Sequence, residues 1–133
     1  MTVDVPPRAV ALLVEDDEAV MEAVCSLLDE DYDVDCVSSL LEARGVLRRK
    51  QVAVIVLDLM LRGESGAELV EELAAQPEAP AVVLLSASPQ AAHVADQFGV
   101  AFLRKPFDIE DLLRTLDVSR REHRRPTKRM VDG

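Results

Sequence analysis

Tryptophan is absent, and Tyr32, Phe98, Phe102 and Phe107 are the only aromatic residues among 133. A core built from this chain must therefore be aliphatic, filled by its many Val, Leu and Ala side chains. Glycine and proline are scarce, at 5 and 7, which excludes collagen-like and low-complexity chains. No apolar run approaches the ~18 residues of a membrane-spanning helix, and no charged segment leads into an apolar one at the start, so neither a membrane nor a secretory route is expected. Basic charge is also short. The net charge of -10 disfavours direct binding of nucleic acid or anionic lipid, because phosphate surfaces attract basic patches. The two cysteines, Cys25 and Cys36, sit among apolar residues with no metal-ligand companions at short spacing. They are expected to be reduced core thiols of a cytoplasmic protein.

What is present suits one α/β domain: the chain is 49 % hydrophobic, enough for a real core and too short for two ordinary domains. Charge is distributed unevenly. Residues 119–133 hold six Lys/Arg, including Arg120 and Arg121, against Glu122 and Asp132. Residues 1–7 are therefore read as an N-terminal arm, 8–118 as the folded body, and 119–133 as a basic flexible tail or linker remnant. His93 and His123 are expected to face solvent.

Short apolar runs alternate with helical periodicity along the body, the pattern of a parallel sheet covered on both faces. Strands are predicted at Val10–Val14, Val34–Val37, Ala53–Leu57, Ala81–Leu85 and Ala101–Arg104, each followed by a helix. Helix starts are signalled by Ser39 with Glu42, by Ser65 with Glu68, by Ser88 before Pro89, and by Asp108. Asp17 and Glu18 read as first-turn acids favoured by the helix dipole.

Acids stand where two of the apolar runs end. "LLVEDDE" places Glu15 and Asp16 after the first strand, and "VIVLDLM" places Asp58 after the third. In an open parallel sheet, ligands bind outside the carboxyl ends of the strands where strand order reverses, so these three carboxylates are expected to converge there. Crowded carboxylates stay ionised only around a hard cation, and Mg²⁺ suits oxygen ligands that keep several waters and share a phosphate. "VVLLSAS" brings the Ser86 hydroxyl and "FLRKPFD" the Lys105 ammonium to the same end of the sheet. A carboxylate nucleophile, a cation site, a hydroxyl and a lysine together can accept a phosphoryl group, with Asp58 as the acceptor.

On these residues the chain resembles the receiver domain of two-component response regulators, over roughly residues 8–118. The matching elements are the acidic pair Glu15–Asp16, Asp58 in "VLDLML" with Gly66 eight residues on, Ser86 in "LSA" and Lys105 in "KPF". The resemblance implies a flavodoxin-like doubly wound five-stranded parallel sheet of order 2-1-3-4-5, with helices on both faces. It also implies that Asp16 is the more direct Mg²⁺ ligand, that Glu15 acts mainly through water, that the backbone carbonyl of Met60 completes the protein ligands, and that Lys105–Pro106 is cis. Phe102 stands at the position of the family's switch aromatic, and Arg62 where the family often has proline.

The function expected from the resemblance is a switch. A histidine kinase or phosphotransfer protein would supply the phosphoryl group, and the face made by the fourth helix, fifth strand and fifth helix, residues 89–117 (α4-β5-α5), would bind a downstream protein or output domain, or form a homodimer. Two other classes are weighed against it. A degenerate receiver serving as a phosphorylation-independent docking module would be expected to lack Asp58 or Lys105, and both are present. A Mg²⁺-dependent phosphatase usually carries a second acid two residues after its nucleophile, where this chain has Met60. The chain is thus read as a self-catalysed phosphoacceptor and not a turnover enzyme, either a stand-alone receiver or a piece of a longer regulator.

Overall fold

Continuous Val, Ile and Leu runs bury both faces of their strands, and they place the sheet at the centre of the molecule. The computed structural model describes residues 7–124. Its main strands are β1 (Val10–Val14), β2 (Asp33–Val37), β3 (Val54–Asp58), β4 (Ala81–Ser86) and β5 (Ala101–Arg104). The helices are α1 (Glu18–Leu28), α2 (Leu40–Arg49), α3 (Ala67–Ala74), α4 (Gln90–Phe98) and α5 (Ile109–Arg124). The strands pair in parallel in the order β2-β1-β3-β4-β5. This is the flavodoxin-like doubly wound sheet, with its reversal between β1 and β3.

Alternation along the strands divides the core into two layers. Leu12, Val14, Ile55, Leu57, Val82 and Leu84 pack with Leu40, Ala43 and Val46 of α2, Leu69, Val70 and Leu73 of α3, and Ala95 of α4. On the opposite face Ala11, Leu13, Val54, Val56, Val83 and Leu85 pack with Val24 and Leu28 of α1 and Leu112 and Leu116 of α5. Each fully buried Leu or Val contributes about 1.5–3 kcal/mol of transfer free energy, so this sheet is a rigid mount for whatever sits at its ends.

The capping chemistry agrees with the sequence in part. Ser39 caps α2 by accepting the Glu42 N–H at 3.2 Å, and Glu42 reaches back to the Ser38 N–H at 3.0 Å. Asp17 is a true N-cap, accepting the Val20 N–H at 3.1 Å. Helix α3, however, starts one residue later than the Ser65–Glu68 pair predicts. Its N-cap is Gly66, with no side-chain bond, while Ser65 Oγ accepts the Ala67 N–H at 3.2 Å. Helix α4 likewise begins after Pro89, at Gln90. Gly99 ends it with φ of 67°, a left-handed turn that glycine adopts without a Cβ clash.

Three further findings depart from expectation. A two-stranded antiparallel ribbon, Met60–Leu61 with Glu64–Ser65, follows β3, turning through Gly63 at φ of 72°. Helix α5 runs through Arg124, past the expected boundary at 118, and Arg120 lies 5.4 Å above the Tyr32 ring. Part of the predicted tail is therefore built into the fold; 125–133 and the arm residues 1–6 lie outside the described residues. Finally, Cys25 and Cys36 are not free thiols but a disulfide. Cys25 lies on the sheet-facing side of α1 and Cys36 on β2, both against the same core layer, which brings their Cα atoms to 6.8 Å, within bridging range.

Candidate functional site

All four strand ends singled out in the sequence meet at one end of the sheet. The β1 run is followed by Glu15, whose N–H donates to the Val37 carbonyl at 3.0 Å and so extends the β1–β2 ladder one residue into the site. Asp58 is the last residue of β3 and Ser86 of β4. Lys105 follows β5, fixed by its backbone N–H donating to the Ser86 carbonyl at 3.0 Å, and the Lys105–Pro106 peptide is cis.

Carboxylate oxygens of Glu15, Asp16 and Asp58 lie within 4.8 Å of one another. Lys105 Nζ joins two of them, donating to Asp58 Oδ2 at 2.9 Å and to Glu15 Oε1 at 3.0 Å. Glu15 is fully buried and Asp58 5 % exposed, while the Lys105 side chain is 23 % exposed. Burial pushes the Glu15 carboxyl above its ordinary value and the Asp58 charge adds to this, outweighing its bonds to the Asp17 N–H and Lys105. Burial by itself would lower the Lys105 ammonium, yet its bonds to Asp58 and Glu15 hold it above its ordinary value. Three carboxylates against one bridging ammonium leave an excess of negative charge that a hard, oxygen-seeking cation fits.

The ribbon, invisible in the sequence, fastens this cluster. The Arg62 N–H donates to Asp16 Oδ2 at 2.6 Å, with its guanidinium Nε 3.9 Å from the same oxygen. The Met60 N–H donates to Asp58 Oδ1 at 3.0 Å, and the Met60 side chain stands 60 % exposed at the mouth. Glu64 accepts the Leu40 N–H at 3.0 Å, tying the ribbon to the start of α2. Gly66 closes the loop with its N–H on the Leu59 carbonyl at 2.7 Å; a Cβ there would stand 2.6 Å from the Asp58 carbonyl oxygen. The glycine eight residues after Asp58 is therefore required by close backbone approach.

Ser86 is 1 % exposed, and its Oγ accepts the Ser88 N–H at 2.9 Å; Ser88 Oγ in turn accepts the Gln90 N–H at 3.2 Å. A short relay thus runs from the site to the first residue of α4. Phe102 is half-buried on β5, packed against the core layer that contains Ala95 and Leu84. Asp17 and Glu18 stay outside the cluster, Asp17 as the N-cap of α1 and Glu18 in its first turn, although the Asp17 backbone N–H donates to Glu15 Oε2 at 3.1 Å. His93 is exposed, and the exposed His123 ring bonds the Ala79 carbonyl.

Comparison with known proteins agrees with this fold. The family described as "Response regulator receiver domain" matches residues 11–117. Regulatory protein VanRB of Enterococcus faecalis is 30 % identical over 80 % of this chain and 50 % of its own length. Transcriptional regulatory protein MalR of Bacillus subtilis is 32 % identical over 92 % of this chain and 57 % of its own length. The chain thus spans about half the length of these curated relatives. Among solved structures, the beryllofluoride-activated NtrC4 receiver domain dimer superposes with a TM-score of 0.77 at 26 % identity, covering 86 % of this chain and 98 % of that one. The non-phosphorylated HemR receiver domain of Leptospira biflexa gives 0.76 at 28 % identity, covering 85 % and 94 %. By this family match over most of its length, the chain belongs to the receiver domains of two-component response regulators.

Proposed function

We propose that the chain is a phosphorylatable switch, which accepts a phosphoryl group on Asp58 from a histidine kinase or phosphotransfer protein and signals through its α4-β5-α5 face to a downstream protein or output domain. The observation that carries this reading is the Lys105 ammonium bonded at once to Asp58 and Glu15, with Asp16 in the same cluster. The all-oxygen donor set and its excess negative charge fit Mg²⁺. Asp16, Asp58 and the Met60 carbonyl would hold it directly, and Glu15 mainly through water. When bound, the ion would offset charge on the phosphoryl oxygens.

The chain's own residues do the rest. An Asp58 carboxylate oxygen attacks phosphorus; the phosphorus–nitrogen bond of a phosphohistidine breaks, its electron pair leaves with the imidazole, and an acyl phosphate remains on Asp58. Lys105, already donating to Asp58 Oδ2, is placed to neutralise a phosphoryl oxygen. Met60 offers no acid or base where phosphatases place one, so hydrolysis of the acyl phosphate resets the switch and no other substrate is turned over.

Ser86 carries the change outward. Its oxygen is engaged as an acceptor from Ser88, which leaves its own proton to donate to a phosphoryl oxygen. Drawing that hydroxyl inward pulls the Ser88 amide, and through Ser88 Oγ the first turn of α4. Phe102 then settles further inward, reshaping α4, β5 and α5. Homodimerisation is one form this output could take, as the activated NtrC4 receiver domain is a dimer. No nucleic acid contact is proposed for a chain of charge -10. Among the described residues no helix is long and apolar enough to cross a membrane, and we place the module in the cytoplasm, where ATP-fed phosphodonors work.

Acetyl phosphate with Mg²⁺ should add one phosphoryl group to the intact chain, read by mass spectrometry. The same adduct on Asp58→Asn would overturn the assignment of the acceptor.

A further inference from the structure

The Cys25–Cys36 bridge lies outside the phosphoryl site but joins two elements that both hold it. Helix α1 begins at the Asp17 cap, whose N–H donates to Glu15 Oε2 at 3.1 Å. Strand β2 ends at Val37, next to Cys36, and the Val37 carbonyl accepts the Glu15 N–H at 3.0 Å. The bridge, spanning a sequence separation of 11, therefore closes a loop of the last turn of α1, the following turn and β2 up to Cys36. Removing it does not strip α1 of its packing: Val24 and Leu28 remain buried against Leu13, Val54 and Val56. Both cysteines are only half-buried, at the margin of that layer. A bridge that is close to solvent and not needed to hold the core together is of the kind that exchanges with thiols. In a glutathione-buffered compartment, disulfides that do form are usually transient or redox-sensing.

We propose that Cys25 and Cys36 are a reversible thiol–disulfide site, exchanged by a small thiol such as glutathione, that clamps α1 to β2 when closed and releases it when open. A glutathione thiolate attacks one sulfur of the bridge, forming a mixed disulfide and expelling the other cysteine as a thiolate, which takes up a proton. A second glutathione thiolate attacks the glutathione sulfur of that mixed disulfide. Oxidised glutathione leaves, and the protein holds two thiols; two electrons have passed from two glutathiones to the bridge. Closure is the reverse, with oxidised glutathione as the oxidant. This site goes beyond the phosphoryl chemistry and does not depend on Asp58.

The test equilibrates the full chain, natively folded, in mixtures of reduced and oxidised glutathione from one extreme to the other, then traps thiols with N-ethylmaleimide and reads intact mass. The expected result is one step between two adducts and none, with its midpoint inside the series. Amide exchange over residues 18–37 should be faster in the reduced form. Two adducts in every mixture, none even in fully reduced glutathione, or a stable single glutathione adduct would each overturn the proposal, as would identical exchange in both forms. Cys36→Ser should abolish the step, and a step that persists in this variant would assign it elsewhere.

Discussion

Lys105→Met is expected to accept phosphate from acetyl phosphate on the order of 10²–10³ times more slowly than the unaltered chain, the usual loss when one preorganised charge stabiliser is removed. The magnitude follows from where the ammonium sits. Its Nζ lies 2.9 Å from Asp58 Oδ2 and 3.0 Å from Glu15 Oε1, with both acids at least nine-tenths buried. No other Lys or Arg ion-pairs with Asp58 or Glu15 among the described residues. Charge developing on a phosphoryl oxygen would meet a fixed cation in a partly dehydrated pocket, where electrostatic stabilisation is stronger than in water. Methionine keeps the length and apolar stem of lysine, so the loss reports charge more than packing. In chelator the variant should also be less stable by about 2–4 kcal/mol, because two buried carboxylates lose their shared partner. The rate of adduct formation by intact mass and a urea unfolding curve in chelator read the two effects. Equal phosphorylation rates in both proteins would remove Lys105 from the chemistry.

Asp16→Ala is expected to abolish stabilisation by divalent cations. An ion bound only by the folded chain at ten times its dissociation constant adds about 1.4 kcal/mol, which for a domain of this size is roughly 4–6 °C in Tm. Binding at the cluster of Glu15, Asp16 and Asp58 would relieve like-charge repulsion among them. Asp16 is half-buried and the most accessible of the three, placed to meet an ion entering from solvent. Its carboxylate also accepts the Arg62 N–H at 2.6 Å, so the variant should loosen the ribbon and melt lower even without metal. The decisive quantity is therefore the difference in Tm with and without Mg²⁺, near zero for Asp16→Ala. An unchanged Mg²⁺ increment in that variant would place the cation elsewhere.

The strands and the site were legible for one reason: the sheet is buried on both faces. Runs such as VIVLD and AVVLLS announce themselves as central strands, and a carboxylate or hydroxyl that ends such a run has only the sheet end to occupy. Asp58, Glu15, Ser86 and Lys105 were found that way, with strand order as the one added premise. The ribbon after Asp58 was not found, because two-residue strands carry no periodicity; its signal is the glycine of LRGES, which takes φ of 72°. The caps of α3 and α4 were misplaced by one residue for a related reason. At α3 tertiary contact decides: Gly66, where any Cβ would meet the Asp58 carbonyl oxygen, takes the N-cap position, and the predicted cap Ser65 lies one residue before it. The extension of α5 past residue 118 rests on Arg120 over Tyr32, a contact between residues far apart in sequence. The disulfide was misread because each cysteine by itself looks like a core residue. Only the packing of α1 on β2 shows that both face the same layer.

A phosphoryl group at Asp58 should be felt at the α4-β5-α5 face through Ser86, Ser88 and Gln90. Amide NMR spectra of the full chain with Mg²⁺, before and after beryllofluoride, test it most directly. Shifts are expected at Ser88 and Gln90, at Phe102, and along α4, β5 and α5, all absent in Asp58→Asn. Shifts confined to the loops around Asp58, with Phe102 and residues 89–117 unmoved, would contradict it.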